Sequence, residues 1–551
     1  MLNHHRLISS LLAAALLIAA SHGPAADTPG WTPLFDGKSL QNWKASEHPD
    51  TFKVVDGVIV AKGERAHLFY TGNADSQPDF KNFEFELEVF TKPGANSGVY
   101  FHSAFQDSGW PEQGFEVQIN NSQLKHGDYL ELKKTGSLYG VRNIHKPMAL
   151  DNEWFTMHVS VRANRVQIKV NQALLVDYVE PSLPGADRQR RLTRGTFALQ
   201  GHDPDSEARF RNLRVRRLPD DLAAVTPAPA FDDGARALLK LAGDNFPVID
   251  FHTHLKGGLT LEETLAHMRR TGINHGIAVN GGIGFPITNN AGIEEFRRTM
   301  QGTPCYIGLQ AEGREWPTLF STDAIAKFDY VFTDSMTIPD HRGKRTRLWL
   351  KEEVEIPDKE AFMDHLVSII EGILDQEPVD IYANSTYLPD VIAAEYDALW
   401  TPARMDRVIA AAARNGVAIE INSRFKIPNA AFIKRAKAAG IKFTLGTNNA
   451  DRNLGSLEFS VQMIKECGSR GRTCGCPSPM ARSRHRCEPS CSESPLSRAF
   501  EMRVACVCHF TPPALYDSRF DRSQSTSLSI PLAPICFGVI SDVTVARSRA
   551  G

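Results

Sequence analysis

The chain has 551 residues, a formal net charge of -2, 42% hydrophobic and 23% charged residues. That length has room for several domains, and the composition is that of an ordinary soluble globular protein. No large block of one charge sign occurs before residue 469, so nothing marks the chain as a nucleic-acid binder.

The chain opens MLNHHRLISSLLAAALLIAASHGPAAD, with one arginine and two histidines ahead of an apolar run from Leu7 to Ala20. Small residues follow the run. This is the pattern of a secretory signal over residues 1–26, with cleavage expected between Ser21 and Ala26. The run is short for a membrane span. The mature protein is expected to be periplasmic or secreted, with no stable membrane span.

Residues 31–219 read as a series of short strands, among them Thr51–Val60, Phe83–Thr91, Gly98–His102, Phe115–Asn120, Trp154–Val161, Arg165–Val170, Gly195–Gln200 and Phe210–Arg216. Turn pairs such as Asp56-Gly57 and Pro93-Gly94 punctuate them. Many short strands with no long helical period predict an all-β sandwich or barrel. A sandwich whose apolar faces close on each other is expected to fold by itself.

Two of these runs carry the chemistry. Side chains alternate between faces along a strand. In Val99-Tyr100-Phe101-His102, Tyr100 and His102 share one face. In Phe115-Glu116-Val117-Gln118-Ile119, Glu116 and Gln118 oppose the apolar set. A merely solvated face would more often carry Lys, Thr and Ser. Tyr, His, Glu and Gln can hydrogen-bond sugar hydroxyls, stack on a ring and move a proton.

LFDGKSLQNW (Leu34 to Trp43), SGVYFHS, GFEVQI, TGSLYG (Thr135 to Gly140), NEW (Asn152 to Trp154), LQGH (Leu199 to His202) and FRNLRVRRL (Phe210 to Leu218) occur in this order. Together they resemble the 3-keto-disaccharide hydrolase family. The resemblance implies a concanavalin-like jelly roll and an exported hydrolase, or a lyase and hydratase, that cleaves glycosides already oxidised to a ketone at sugar C3. The substrate expected is a carbohydrate. A ketone at C3 acidifies the C2 proton, so the site needs a base, an enolate stabiliser and an acid for the leaving oxygen. Glu116 or His102 is the candidate base. His202 is a candidate enolate stabiliser or metal ligand, or else a loop histidine capping a turn with Asp203. Tyr100, Gln118 and Gln200 are candidates to orient hydroxyls. Tyr139 reads as core packing.

Residues 220–245 combine a Pro/Ala linker, DDLAAVTPAPAF, with a short amphipathic helix from Asp232 to Ala242. From residue 246 to 468 the period changes. Strand-like runs at Val248–His254, Gly276–Asn280, Tyr306–Glu312, Tyr330–Asp334, Val379–Asn384, Val417–Asn422 and Lys442–Thr447 alternate with helix patterns. About seven βα units predict an α/β barrel, with its site at the C-terminal strand ends.

Those ends carry His252, His254, Asn280, Glu312, Asp334, Asn384, Glu420, Asn422, Asn448 and Asn449. His-x-His on a strand places both imidazoles on one face, which suits a metal. VIDFHTHL, IEIN and TLGTNNADRNLG resemble the polymerase-and-histidinol-phosphatase (PHP) superfamily. Asparagines stand where that family usually has Asp or His. The metal ligands that remain are His252, His254, Glu312 and Glu420, so the site is expected to hold either one divalent ion such as zinc or manganese, or no metal and a polar ligand. This sets an alternative function: a glycan-binding sandwich attached to a metal-dependent phosphoesterase or hydrolase barrel.

After residue 468 the composition shifts to Arg, Ser, Cys and Pro. Seven cysteines (Cys474, Cys476, Cys487, Cys491, Cys506, Cys508 and Cys536) crowd the tail, against only Cys305 and Cys467 before it. The spacing suits neither a zinc knuckle nor a packed domain. Residues 469–551 are read as frameshifted or disordered, with no function.

Overall fold

The computed structural model describes residues 30–73, 77–123, 129–182 and 190–468. The signal expected at 1–26 and the tail at 469–551 lie outside the described residues. All that is described belongs to one compact unit.

The first part is a two-layer antiparallel sandwich. One layer is an eight-stranded sheet built on Phe83–Thr91, Trp154–Arg162, Arg165–Val170, Ala173–Val179 and Ala208–Arg217. Along Phe83–Thr91 the residues Phe83, Phe85, Leu87 and Val89 are buried. The alternate residues Glu84, Glu86 and Glu88 face outward, opposite Arg216, Arg214 and Arg211 of the neighbouring strand. Such cross-strand pairs pin register while adding under about 1 kcal/mol each.

The second layer is a five-stranded sheet ordered Trp43–Ala45, Ala66–Tyr70, Thr196–Gly201, Ser97–Ser103, Phe115–Ile119. Its inner face contributes Leu68, Val99, Phe101, Phe115, Val117 and Phe197 to the core. Phe85 and Phe197 stack across the two layers with centroids 4.2 Å apart. The outer face carries Tyr100, Glu116, Gln118 and Gln200. It is not an open solvated face, because irregular segments around residues 104–114, 129–145 and 190–194 lie over it, and every residue of Phe115–Ile119 is buried. The run Thr51–Val60 divides at Asp56-Gly57 into the hairpin Phe52–Val55 and Val58–Ala61.

After the linker, the helix Asp233–Gly243 starts at Asp232, whose side chain accepts from the Ala235 amide. Seven parallel strands then close into a barrel: Ile249–Thr253, Asn274–Gly281, Tyr306–Ala311, Tyr330–Thr333, Ile381–Tyr382, Ala418–Asn422 and Phe443–Gly446. Leu261–Thr271 shows how sharply the helices are bounded. Thr260 and Glu263 form a capping box, and Gly272 ends the helix in the left-handed region at φ 81°. The interior is filled by Ile249, Phe251, Ala278, Tyr330, Phe332, Ile381, Ala383 and Ala418. Tyr330 crosses the lumen to donate to the Phe251 carbonyl at 2.7 Å. A Cβ at Gly308, its register partner on the neighbouring strand, would collide with its ring, so that position needs a glycine.

The chain is multidomain, yet the sandwich and barrel share one continuous apolar core. Polar contacts reinforce it. Asn274 Nδ2 donates to the Asn143 carbonyl at 2.7 Å, Tyr306 to the His145 carbonyl at 2.7 Å, and Arg269 Nε to the Leu174 carbonyl at 2.9 Å. Closure of the sandwich faces on each other is thus only part of what buries its apolar surface.

Candidate functional site

A pocket of about 460 Å³ opens on the outer face of the five-stranded sheet, lined by Asn96, Tyr100, Trp110, Glu116, Gln118, Tyr129, Glu131, Tyr139, Arg190, Gln200 and His202. That volume suits a mono- or disaccharide-sized ligand. The floor comes from the strands. Tyr100 faces Glu116 in register, and Gly98 faces Gln118. Gly98 has to lack a side chain, since a Cβ there would lie 2.5 Å from Glu116 Oε1.

Glu116 is the centre of the floor. Tyr100 Oη donates to Glu116 Oε2 at 2.8 Å. Gln200 Nε2 is shared between Tyr100 Oη at 3.0 Å and Glu116 Oε1 at 3.3 Å. Burial pushes the Glu116 carboxyl up to about 7, opposed by the Tyr100 hydrogen bond and assisted by the negative charge of Glu131. A carboxylate so poised is a competent general base at neutral pH. Gln118 Nε2 donates to Asn96 Oδ1 at 2.7 Å. The Oε1 atoms of Gln118 and Gln200 are buried and have no partner. Buried acceptors left open in a pocket are suited to ligand hydroxyls.

His202 lines the pocket with its ring, while both nitrogens are engaged. Nδ1 is 2.6 Å from Asp203 Oδ2 and Nε2 is 3.0 Å from Asn96 Nδ2. Asp203 in turn accepts from the Ser206 hydroxyl and from the amides of Asp205 and Ser206. Trp110 and Tyr129 stand against the His202 ring at 5.2 and 6.2 Å. So the turn-capping arrangement with Asp203 and a place in the pocket hold at once.

The expectation that His102 shares the face of Tyr100 and Glu116 is corrected. Between Tyr100 and Ser103 the strand has one residue more than its partner Thr196–Gly201, and His102 takes φ 55°. This bulge turns the imidazole out of the pocket. Its Nε2 lies 2.9 Å from the Lys81 carbonyl and its Nδ1 accepts from the Thr193 amide at 3.2 Å, with the ring edge-on to Phe83. Burial pulls it down to about 4, so it is neutral.

Sequence patterning missed several lining groups. Arg190 donates to the carbonyls of Gly114 and Pro111 at 3.0 and 3.1 Å and is the guanidinium lining the pocket. Tyr139 is not simple packing, because its hydroxyl donates to Glu131 Oε2 at 3.0 Å. Tyr129 donates to the same oxygen. Beside the pocket, His67 is buried with both ring nitrogens unpartnered, edge-on to Tyr100 and Trp110. These groups sit in irregular segments, or on the strand Ala66–Tyr70, whose five residues are all buried and show no alternation.

The strand ends of the barrel carry His252, His254, Asn280, Glu312, Asp334, Asn384, Glu420 and Asn422, all of them buried. His252 Nδ1 lies 2.6 Å from Glu420 Oε1, and His254 Nδ1 2.9 Å from the Ala278 carbonyl. Both Nε2 atoms are buried without a hydrogen-bond partner. Asn280 donates to Glu312 at 2.7 Å and Asn384 to Asp334 at 2.7 Å. Burial, with the Asp334 charge nearby, pushes the Glu312 carboxyl above the usual carboxylate range.

The placing of Glu420 as a ligand is corrected. Its Oε1 meets His252 Nδ1, and its Oε2 accepts from the Asn384 amide at 2.9 Å and Asn422 Nδ2 at 3.0 Å. Burial works to raise Glu420, but His252 and these donors hold it below the usual carboxylate range. It orients His252 rather than facing an open position. Among the described residues no three His, Cys, Asp or Glu side chains group as a metal site. The open Nε2 atoms of His252 and His254 are the donors that a divalent ion would take here, and no step is assigned to one.

Residues 30–216 match the family described as the 3-keto-alpha-glucoside-1,2-lyase-like domain. A comparison with curated proteins gives no match. Among solved structures, the first part is similar to a proposed glycosyl hydrolase from Parabacteroides distasonis, at 22% identity over 34% of this chain and 94% of that one, TM-score 0.30. It is also similar to a carbohydrate-binding module from Bacillus subtilis, at 14% identity over 34% and 94%, TM-score 0.20. A histidinol phosphate phosphatase from Lactococcus lactis, solved with zinc, L-histidinol and phosphate, is similar at 16% identity over 40% and 94%, TM-score 0.31. At these TM-scores the structural likenesses carry no argument. The domain match supports a carbohydrate-related function. No helix among the described residues is long and apolar enough to cross a membrane.

Proposed function

We propose that this is an exported carbohydrate-active enzyme whose sandwich pocket cleaves 3-keto-glycosides. The observation that carries the reading is the buried Glu116 carboxyl on the pocket floor, raised to about 7 and flanked by two open amide acceptors. Glu116 takes the C2 proton, and the Arg190 guanidinium supplies positive charge for the developing enolate. As the C1–O bond breaks, the leaving oxygen takes the Tyr129 proton. Burial and Glu131 hold Tyr129 above the usual phenol range, so its proton stays on until the alkoxide forms beside it. The products of this half are an alcohol and an enone. In the second half, the Tyr129 oxygen takes a proton from the water that adds at C1, and Glu116 returns its proton to C2. Both groups are restored and one water is consumed. Gln118 and Gln200 accept sugar hydroxyls, and Trp110 offers a ring for stacking.

The test is incubation of the full chain with a 3-keto-glucoside and its unoxidised parent. Release of the aglycone from the keto substrate alone supports the reading. Glu116→Gln is expected to lower kcat by about 10²-fold or more, with little change in KM. No release from the keto substrate overturns the proposal. A second reading, a glycan-binding module, is favoured by the aromatics at the rim, since Trp110 and Tyr129 are 44% and 40% exposed. Sugar binding without cleavage would select it.

A further inference from the structure

We infer that the segment linking the sandwich to the barrel completes the sandwich pocket, with Asn245 serving as a positioning residue for the wall formed by Tyr129, Glu131 and Tyr139. The kinetic part of this inference rests on the reading of the pocket given above.

The wall has no regular structure of its own. Residues 130–134 form neither strand nor helix. From within the sandwich they are held by Asn120, whose Nδ2 donates to the Glu131 and Lys133 carbonyls at 3.0 Å each, and by Gln123 Oε1, which accepts from the Glu131 amide at 3.2 Å. His145 Nδ1 also lies 3.1 Å from the Leu132 carbonyl, and the Lys134 amide donates to the Ile144 carbonyl at 2.7 Å. A further hold comes from outside. Asn245, two residues past the helix Asp233–Gly243, donates Nδ2 to the Leu130 carbonyl at 3.0 Å and accepts from Lys133 Nζ at 2.8 Å through Oδ1. A single amide from the linking segment thus brackets Glu131 from both sides.

Lys133 transmits the contact. It is fully buried, and its Nζ is 3.3 Å from Glu131 Oε1 and 4.2 Å from the centre of the Tyr139 ring. A buried ammonium needs every partner it has. With Asn245 in place, Lys133 is fixed against Glu131, whose other oxygen accepts both tyrosine hydroxyls. Without it, the ammonium and the Leu130 carbonyl each lose a partner, and Glu131 is free to move with them. The backbone at Asn245 adds a second requirement. Its φ of 55° lies in the left-handed region, which asparagine tolerates and most residues do not. Asn245 is therefore suited both to the turn that leads into the barrel and to the reach across to the wall.

Asn245→Gly is the clean perturbation, because glycine accepts the backbone conformation and removes only the amide. In the full chain, kcat on a 3-keto-glucoside is expected to fall about tenfold or more, with KM changing less, as for a group that aligns proton transfer. The Glu131 and Lys133 amides should exchange faster with deuterium, while those of Phe115–Ile119 stay protected. In a Glu131→Gln background, Asn245→Gly should cause little further loss, since both act through one carboxylate. Unchanged exchange at Glu131 and Lys133 overturns the inference, whatever the activity. Faster exchange with unchanged kcat, or full additivity with Glu131→Gln, overturns the positioning role. If the wild type does not cleave the substrate, the functional proposal fails on that result alone. The exchange measurement then still decides whether Asn245 holds the wall.

Discussion

Replacing Tyr100 by phenylalanine keeps the ring in its place and removes one hydroxyl, the donor to Glu116 Oε2 at 2.8 Å. That hydrogen bond favours the ionised carboxylate and works against burial, which has raised the group to about 7. A hydrogen bond to a charged group is worth about 1.5–3 kcal/mol. At about 1.4 kcal/mol per pH unit, its loss moves Glu116 upward by roughly 1–2 units. In the proposed reaction Glu116 is the base, so kcat/KM is expected to rise with pH as it ionises. In the wild type the rise should centre near 7, and in Tyr100→Phe near 8 to 9. At pH 7 the ionised fraction falls from about a half to between about a tenth and a hundredth, a loss of roughly 5- to 50-fold. At pH 9.5 most of the rate should return. The assay is initial-rate kinetics on a 3-keto-glucoside from pH 5 to 10. The reasoning is refuted if Tyr100→Phe lowers the rate equally at every pH, or if its acid limb coincides with that of the wild type.

The same group makes stability depend on pH. Glu116 binds its proton more tightly folded, at about 7, than at its ordinary value of 4.5, so ionisation destabilises the fold as pH rises between them. Thermal melts of Glu116→Gln should match the wild type near pH 4.5 and lie above it at pH 8, the gap being on the order of 3 kcal/mol at most. Gln118→Ala removes an open acceptor for a hydroxyl and should raise KM roughly fivefold with kcat nearly unchanged, measured in the same kinetics. Gly308→Ala forces a methyl group against the Tyr330 ring inside the barrel and should destabilise by about 1–3 kcal/mol in denaturant unfolding. By contrast, Arg214→Ala on the outer ladder should change stability by under about 1 kcal/mol.

How much of this was legible in advance follows from which forces act locally. Strand alternation is a property of the backbone, so the shared face of Tyr100, Glu116 and Gln118 could be read from two short runs. Register across Ser97–Ser103 and Phe115–Ile119 then brought Tyr100 opposite Glu116. The seven βα units were equally plain, because hydrophobic period and helix caps are written within each segment. His-x-His at the first strand end showed itself for the same reason.

The tertiary structure alone decided the rest. His102 left the face because one extra residue against a neighbouring strand made a bulge, and a partner's residue count is invisible from the strand itself. Glu420 became the orienting partner of His252 because the Asn384 main chain and Asn422 took its second oxygen, contacts that exist only once the barrel has closed. Trp110, Tyr129, Glu131 and Arg190 reached the pocket on segments with no period to read. Asn245 lies 115 residues from the carbonyl it holds. Alternation assigns a side chain to a face, whereas packing between distant segments determines what covers that face and which groups meet there.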